Sequence, residues 1–304
     1  MSFAWQYKDA IMDNKVLWTK HKQAFAYGML LLGRRFDGER MEMVTEHQGA
    51  ARLYADLVSS LAGLRGSITI TSRTRGGRET FTVKVDTVTD RKRVLERFGQ
   101  EGDRLNRENL PGEEDLRAFV AGAFLSCGNL NDPQKSYRLE FVIPREGLLG
   151  DFGQLLQELG FSPRLTIRRG VPTVYFRDSG EVADLMTLTG AGRLSLELVE
   201  VKILKEMRNR TNRVTNCDFA NLDKTINAAA AQVEQIRLIY DRLGEEALPE
   251  ELRALAALRL ENPEASLRDL GEMMDPPLSR SGVNHRLKRI EAIARGIAQG
   301  EEIE

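Results

Sequence analysis

The chain has 304 residues, enough for two or three domains, and is 41% hydrophobic and 29% charged. That balance belongs to a folded globular protein and excludes a mostly disordered chain, a collagen-like fibre or a disulfide-stapled miniprotein. Lys and Arg number 44 against 45 Asp and Glu, a net charge of -1, so a nucleic-acid surface would need its cations segregated locally. Cys127 and Cys217 sit in no CxxC pair, which argues against a zinc ribbon and for a reducing compartment. No apolar run approaches the ~20 residues of a membrane span. The charged continuation of Met1-Ser2-Phe3-Ala4-Trp5 does not read as a signal peptide, so a cytoplasmic protein is expected.

The first predicted element is an apolar helix over residues 23–33, with Ala24, Phe25, Tyr27, Gly28, Leu30, Leu31 and Leu32. A strand over 40–47 and an amphipathic helix over 49–63 follow, the helix with Leu53, Leu57, Val58 and Leu61 on one stripe. Ile68 and Ile70 then alternate with Thr69, Thr71 and Arg73. Beyond the turn Gly76-Gly77, Phe81, Val83 and Val85 alternate with Thr80, Thr82 and Lys84, which predicts a hairpin. A helix over 90–98, with Asp90 as its N-cap, closes the unit.

The same order returns after a joining segment, 99–112: a small-residue helix over 113–127, a strand over 137–143, and an amphipathic helix over 145–159 that stops at Gly160. A second hairpin turns at Arg169-Gly170, between Leu165 and Ile167 on one side and Val174 and Phe176 on the other. A helix over 178–189 ends the copy. The repeat predicts two pseudo-symmetric α/β lobes, residues 1–108 and 109–213. Trp5 and Trp18 read as packing residues of the first. His21, His47 and His285, the only histidines, have no ligand spacing, so no metal site is expected.

From residue 194 strand signals stop. A helix over 194–213 ends in Lys202, Lys205, Arg208, Arg210 and Arg213, opposed only by Glu206. Asn209, Asn212, Asn216 and Asn221 are expected to break it, making 214–222 a polar linker ahead of an all-α domain, 223–304. That domain opens with a long helix whose run Ala228 to Ala231 reads as close packing. Leu252, Leu255, Ala256 and Leu258 mark the next helix. Ser266 caps a short helix, Asp275-Pro276-Pro277-Leu278 turns, and Ser279 caps a helix with Val283, Leu287 and Ile290 inward. Over about 265–298 this is the outline of a helix-turn-helix reader. Its other face carries Arg280, Ser281, Asn284, His285, Arg286, Lys288, Arg289 and Arg295, with Glu291 the one acid among them. Arg can pair with both acceptors of a guanine edge and Asn with an adenine edge. Ser279 and the free amides of the first turn can hold a phosphate. The plainer alternative is a solvated basic face on an ordinary helix.

The stretch Val120-Ala121-Gly122-Ala123-Phe124-Leu125-Ser126-Cys127-Gly128 resembles the core helix of LAGLIDADG homing endonucleases, in which two such helices pack between two lobes and each ends in a metal-holding carboxylate. The matching positions here are Cys127 and, within Tyr27-Gly28-Met29-Leu30-Leu31-Leu32-Gly33, Gly33. Neither supplies an acid, so both catalytic positions read as lost; Asp37 and Asp132 nearby read as turn residues. The chain as a whole resembles the WhiA family of bacterial sporulation and cell-division regulators. The resemblance rests on Gly122-Ala123-Phe124-Leu125 and Asn131-Asp132-Pro133-Gln134-Lys135-Ser136-Tyr137. It rests also on Lys205-Glu206-Met207-Arg208-Asn209, Asn216-Cys217, Ala220-Asn221 and Lys224-Thr225, and on Ser279-Arg280-Ser281-Gly282-Val283-Asn284-His285-Arg286-Leu287. Members often carry a paired cysteine near the first core helix; here the residues are Lys20-His21-Lys22.

The resemblance implies an α+β chain of two LAGLIDADG-like lobes followed by a helix-turn-helix domain. It implies a sequence-specific DNA-binding regulator of transcription, cell division, chromosome segregation or sporulation, and not an enzyme. Expected partners are double-stranded DNA, near the nucleoid, and protein co-regulators, with no cofactor, no membrane and no small-molecule substrate. In the lobes Thr69, Thr71, Arg73, Thr82, Lys84, Arg168, Tyr175 and Arg177 share the polar side of their hairpins. Arg73, Lys84, Arg168 and Arg177 are the candidate contacts of a DNA saddle. Two competing readings stay open: a metal-dependent DNA endonuclease, and a protein-interaction scaffold.

Overall fold

The computed structural model describes residues 2–100 and 102–299. It opens with two helices that the sequence pattern does not announce, α1 (Phe3–Asp13) and α2 (Lys15–Lys20). Only Tyr7 and Ile11 of α1 are buried, a stripe too short to stand out as periodic. Each helix has a side-chain cap: Ser2 accepts from the Trp5 amide and Asn14 from the Leu17 amide.

The first lobe follows as α3 (Lys22–Leu31), β1 (Arg35–Phe36), β2 (Met41–Thr45), α4 (Gln48–Ala62), β3 (Ile68–Arg75), β4 (Arg78–Val85) and α5 (Val88–Phe98). The second repeats it as α6 (Glu113–Cys127), β5 (Gly128–Leu130), β6 (Leu139–Val142), α7 (Gly147–Glu158), β7 (Arg164–Arg168), β8 (Val171–Phe176) and α8 (Ser179–Leu188). Both sheets are antiparallel with equivalent strand orders, β1-β2-β4-β3 and β5-β6-β8-β7. The expected pseudo-symmetry is therefore present. The short edge strands β1 and β5 were missed because two or three residues carry no readable alternation. Gly76 and Gly77 both have positive φ, as do Arg169 and Gly170, which suits the two-residue hairpin turns expected there.

Two details differ from expectation. The cap of α5 is Thr87, whose hydroxyl accepts from the Asp90 amide at 3.1 Å; Asp90 lies inside the first turn. In β3 and β7 the apolar side of the alternation is not buried: Ile70, Leu165 and Ile167 are 40–48% exposed. Both are edge strands, so they lie beyond the cover that buries Val83 and Val174 on the neighbouring strands.

Glycine sets the distance between the lobes. A methyl group at Gly28 of α3 would lie 2.1 Å from the Phe119 carbonyl oxygen, and one at Gly122 of α6 would lie 2.0 Å from that of Phe25. No side chain fits, so the two backbones meet directly. Around them Phe25, Tyr27, Phe119 and Phe124 are fully buried. At the opening of the helices His21 Nδ1 meets Asp115 Oδ1 at 2.7 Å, a polar tie between α3 and α6. α1 belongs to both lobes: Trp5 packs on His47, while the Tyr7 hydroxyl lies 2.6 Å from Thr189 Oγ1, just past α8.

The expected break at 214–222 is absent. α9 runs without interruption over Gly192–Leu243, through Asn209, Asn212, Asn216 and Asn221. Asn costs a helix well under ~1 kcal/mol, too little to stop one with good formers on both sides. The chain divides into two compact units at Glu206 and Met207, inside α9. In the second unit α9 ends at Gly244, whose φ is +82°. α10 (Glu250–Glu261), α11 (Leu267–Met273) and α12 (Arg280–Gln299) follow. Their core is Ile236, Ile239, Leu252, Leu255, Leu270, Val283, Leu287 and Ile290. Within the alanine run only Ala229 is buried, so the close packing expected of the whole run is confined to one residue.

Candidate nucleic-acid interface

The turn from α11 to α12 is pinned by packing. The Leu278 amide donates to the Gly271 carbonyl at 2.9 Å, and a methyl group at Gly271 would lie 2.2 Å from the Leu278 carbonyl oxygen. Ser266 and Asp269 cap α11 reciprocally, Asp269 N to Ser266 Oγ and Ser266 N to Asp269 Oδ2. Val283, Leu287, Ile290 and Ala294 bury one stripe of α12, which turns the opposite face to solvent.

That face holds Arg280, Ser281, Asn284, His285 and Lys288, all exposed. Arg280, Asn284 and Lys288 follow one another at i, i+4 spacing, one column along the helix. The other predicted residues are spent internally. Ser279 Oγ accepts from the Gly282 amide at 3.2 Å, so it acts as the cap. Arg286 is half-buried and donates to the Glu251 carbonyl at 3.1 Å. Arg289 is ion-paired with the Glu251 carboxylate, and that hydrogen bond holds the carboxyl below its ordinary pKa. Arg295 pairs with Glu291 at 2.8 Å.

On the lobes, cross-strand register places Thr69 opposite Lys84, Thr71 opposite Thr82 and Arg73 opposite Thr80, so these residues share a face. Arg73 and Arg168 are exposed. Lys84 lies 4.0 Å from Glu42, and the Arg177 guanidinium lies 5.4 Å from the Tyr175 ring centre. Glu42 and Glu140 stand on the same faces, opposite Lys84 and Tyr175, so these faces are mixed in charge.

The ends of the two core helices carry cations that sequence reasoning missed. Gly33 lies just beyond α3 and Cys127 is the last residue of α6. Two residues before each, a carbonyl is capped by a distant side chain. The Arg145 guanidinium donates to Leu31 O, and Lys8 Nζ donates to Leu125 O at 3.2 Å. A cation suits a helix C-terminus, where the dipole is negative. Burial pushes the Lys8 ammonium down to about 8 and the Cys127 thiol up to about 12, so the thiol stays neutral at ordinary pH. Arg145 also pairs with Asp103 at 2.8 Å. Among the described residues, no group of three or more His, Cys, Asp or Glu is placed to hold a metal ion. His47 is a packed cap: its Nδ1 accepts from the Ala50 amide and its Nε2 lies 3.0 Å from Asp9. No local pattern pointed to Lys8, since the helix that carries it was itself unseen.

Comparison with known proteins bears on both units. The family described as the WhiA C-terminal HTH domain matches residues 211–294, and the WhiA LAGLIDADG-like domain matches 116–208. A probable cell division protein WhiA of Clostridium botulinum (strain Eklund 17B / Type B) is 41% identical over 197 residues, 65% of this chain and 62% of that protein. The one from Clostridium perfringens (strain SM101 / Type A) is 44% identical over 194 residues, 64% and 61% of the two chains. The chain thus spans about three-fifths of the length of these curated relatives. The crystal structure of full-length DUF199/WhiA from Thermatoga maritima is similar over 97% of this chain and 98% of that one, at 22% identity and a TM-score of 0.57, a likeness of fold.

Proposed function

The chain belongs to the WhiA family, and from that premise we propose that it is a sequence-specific DNA-binding regulator of cell division. In this proposal it acts on transcription at the nucleoid, in the cytoplasm, with chromosome segregation and sporulation among the processes it serves and protein co-regulators among its partners. One observation carries the proposal: α12 turns Arg280, Ser281, Asn284, His285 and Lys288 outward behind a pinned helix-turn-helix corner. Arg280 and Asn284 are the base readers, and Lys288 is the phosphate contact. The lobes keep the two-helix interface of an endonuclease and do not cut, because Gly33 and Cys127 bring no carboxylate and Lys8 and Arg145 already cap the helix ends. Arg73 and Arg168 are the lobe residues best placed for auxiliary backbone contacts.

The test is binding of the purified full chain to fragments recovered by genome-wide crosslinking, set against scrambled duplexes. A preference of ~10³ or more for the recovered sequence is expected. Equal affinity for both would sink the proposal. Plasmid incubated with the protein and Mg²⁺ or Mn²⁺ should stay supercoiled. Nicking that follows the pure protein and stops in Asp132→Asn would restore the endonuclease reading.

A further inference from the structure

Residues 207–228 of α9, all within the second unit, are exposed without exception, about six turns of helix with nothing packed on any side. Most helices are held by burying one face, so a bare one calls for another account of its residues. From Met207 to Cys217 the segment holds Arg208, Arg210 and Arg213 and no acid. These arginines have no ion-pair partner among the described residues. Arg213 gives one of its five N–H groups to the Asn209 carbonyl, at 3.3 Å. Lys205 differs: its ammonium is already spent on the Pro133 carbonyl at 2.7 Å.

Spacing sorts the free residues into a row with two flanks. Asn209, Asn212, Arg213 and Asn216 lie at i, i+3, i+4 and i+7, one face of the helix. Arg208 and Arg210 stand about 100° to either side of Asn209, while Met207 and Val214 fall opposite the row. Asn and Arg are the side chains that pair with purine edges through two hydrogen bonds, and cations on both flanks match the two phosphate backbones that wall a groove. A helix about 10–12 Å across enters a major groove about 12 Å wide only if its sides are uncovered, as they are here. An acidic partner helix would need an apolar seam between the cations, and this row has no apolar residue.

We propose that residues 208–216 of α9 are a second DNA-reading helix, its row of Asn209, Asn212, Arg213 and Asn216 on base edges in the major groove and its flanking Arg208 and Arg210 on phosphates. The occupant is duplex DNA, with adenine favoured opposite the asparagines. The proposal rests on the DNA-binding function above and adds a second set of base pairs to those read by α12.

The experiment maps the full chain on a duplex recovered by genome-wide crosslinking, by footprinting and by binding isotherms at several salt concentrations. Asn212→Ala and Asn216→Ala should each cost about fivefold or more on that duplex and little on a scrambled one. Both should also remove protection from a part of the footprint that Arg280→Ala leaves intact. Arg210→Ala should weaken both duplexes alike and lower the salt slope by about one ion. Alanine is a better helix former than asparagine, so such losses do not come from a melted α9, and circular dichroism checks this. If both asparagine variants bind like the parent while Arg280→Ala still relaxes sequence preference, the second reader is overturned and the regulator stands. Equal losses on both duplexes from the asparagine variants would overturn base reading by α9 as well. A parent chain with no preference for the recovered duplex would refute the regulator and this helix with it.

Discussion

The α3–α6 pair and α12 use their residues in opposite ways. In the pair, contact between the helices is total: Gly28 and Gly122 leave no space for a methyl group, while the ends where the resemblance places catalytic acids hold a glycine and a neutral thiol. In α12 one stripe is packed, while Arg280, Asn284 and Lys288 are exposed and have no side-chain partner among the described residues. A close helix interface needs its glycines whatever residues stand at the helix ends. A recognition surface must instead leave polar groups unspent.

The largest effect is expected where the contrast is sharpest. Gly122→Ala places a methyl group against the Phe25 backbone and should destabilise the first unit by about 3 kcal/mol. Urea unfolding would show it as a lowered midpoint with α12 still able to bind DNA. A loss below about 1 kcal/mol would mean that the helices have slack and that the comparison overstates their rigidity.

On α12 the effects are smaller and of two kinds. Arg280→Ala or Asn284→Ala should cost about 1–3 kcal/mol on the specific duplex and little on a scrambled one. Lys288→Ala should weaken both equally and reduce the salt slope by about one ion. Arg289→Ala should change the slope less than Lys288→Ala, because Glu251 already neutralises it. Identical losses on both duplexes from all these substitutions would abolish the distinction between readers and clamps.

The smallest expected effect concerns Lys8. Its pKa is near 8 when folded and 10.5 when free, so between these values the unfolded chain binds more protons. Stability should therefore rise as pH rises through that window. The Cys127 thiol, 9.0 when free and about 12 when folded, opposes this from about pH 9 upward, leaving pH 8 to 9 as the clean interval. Stability curves over that interval should slope upward for the parent chain and lie flat for Lys8→Met. Equal slopes would show that the ammonium at the end of α6 is not held in a poorly solvated place.

Much of the architecture was legible because it is written in short-range patterns. The double order of helix, strand, helix and hairpin, the turns Gly76-Gly77 and Arg169-Gly170, and the buried stripe Val283, Leu287, Ile290 all depend on residues a few positions apart. The break at 214–222 was misread by the same local logic. Asparagine is a weak helix former, but a helix already propagating crosses it for little. α1 escaped notice because Tyr7 packs on Phe124 and meets Thr189, far away in the chain, and α2 because none of its residues is buried.

The sequence alone determined the repeat, the absence of acids at positions 33 and 127, and the basic character of the last helix, since identity and periodicity are properties of the chain itself. Tertiary structure decided which cations of that helix are free. Arg286 and Arg289 sit in the same basic run as Lys288, yet Glu251 on α10 engages both and leaves Lys288 exposed. It likewise brought Lys8 and Arg145 to the two helix ends. Each of these outcomes depends on residues distant in sequence meeting at hydrogen-bond range, where a polar atom either finds a partner or stays available, and no local pattern records which.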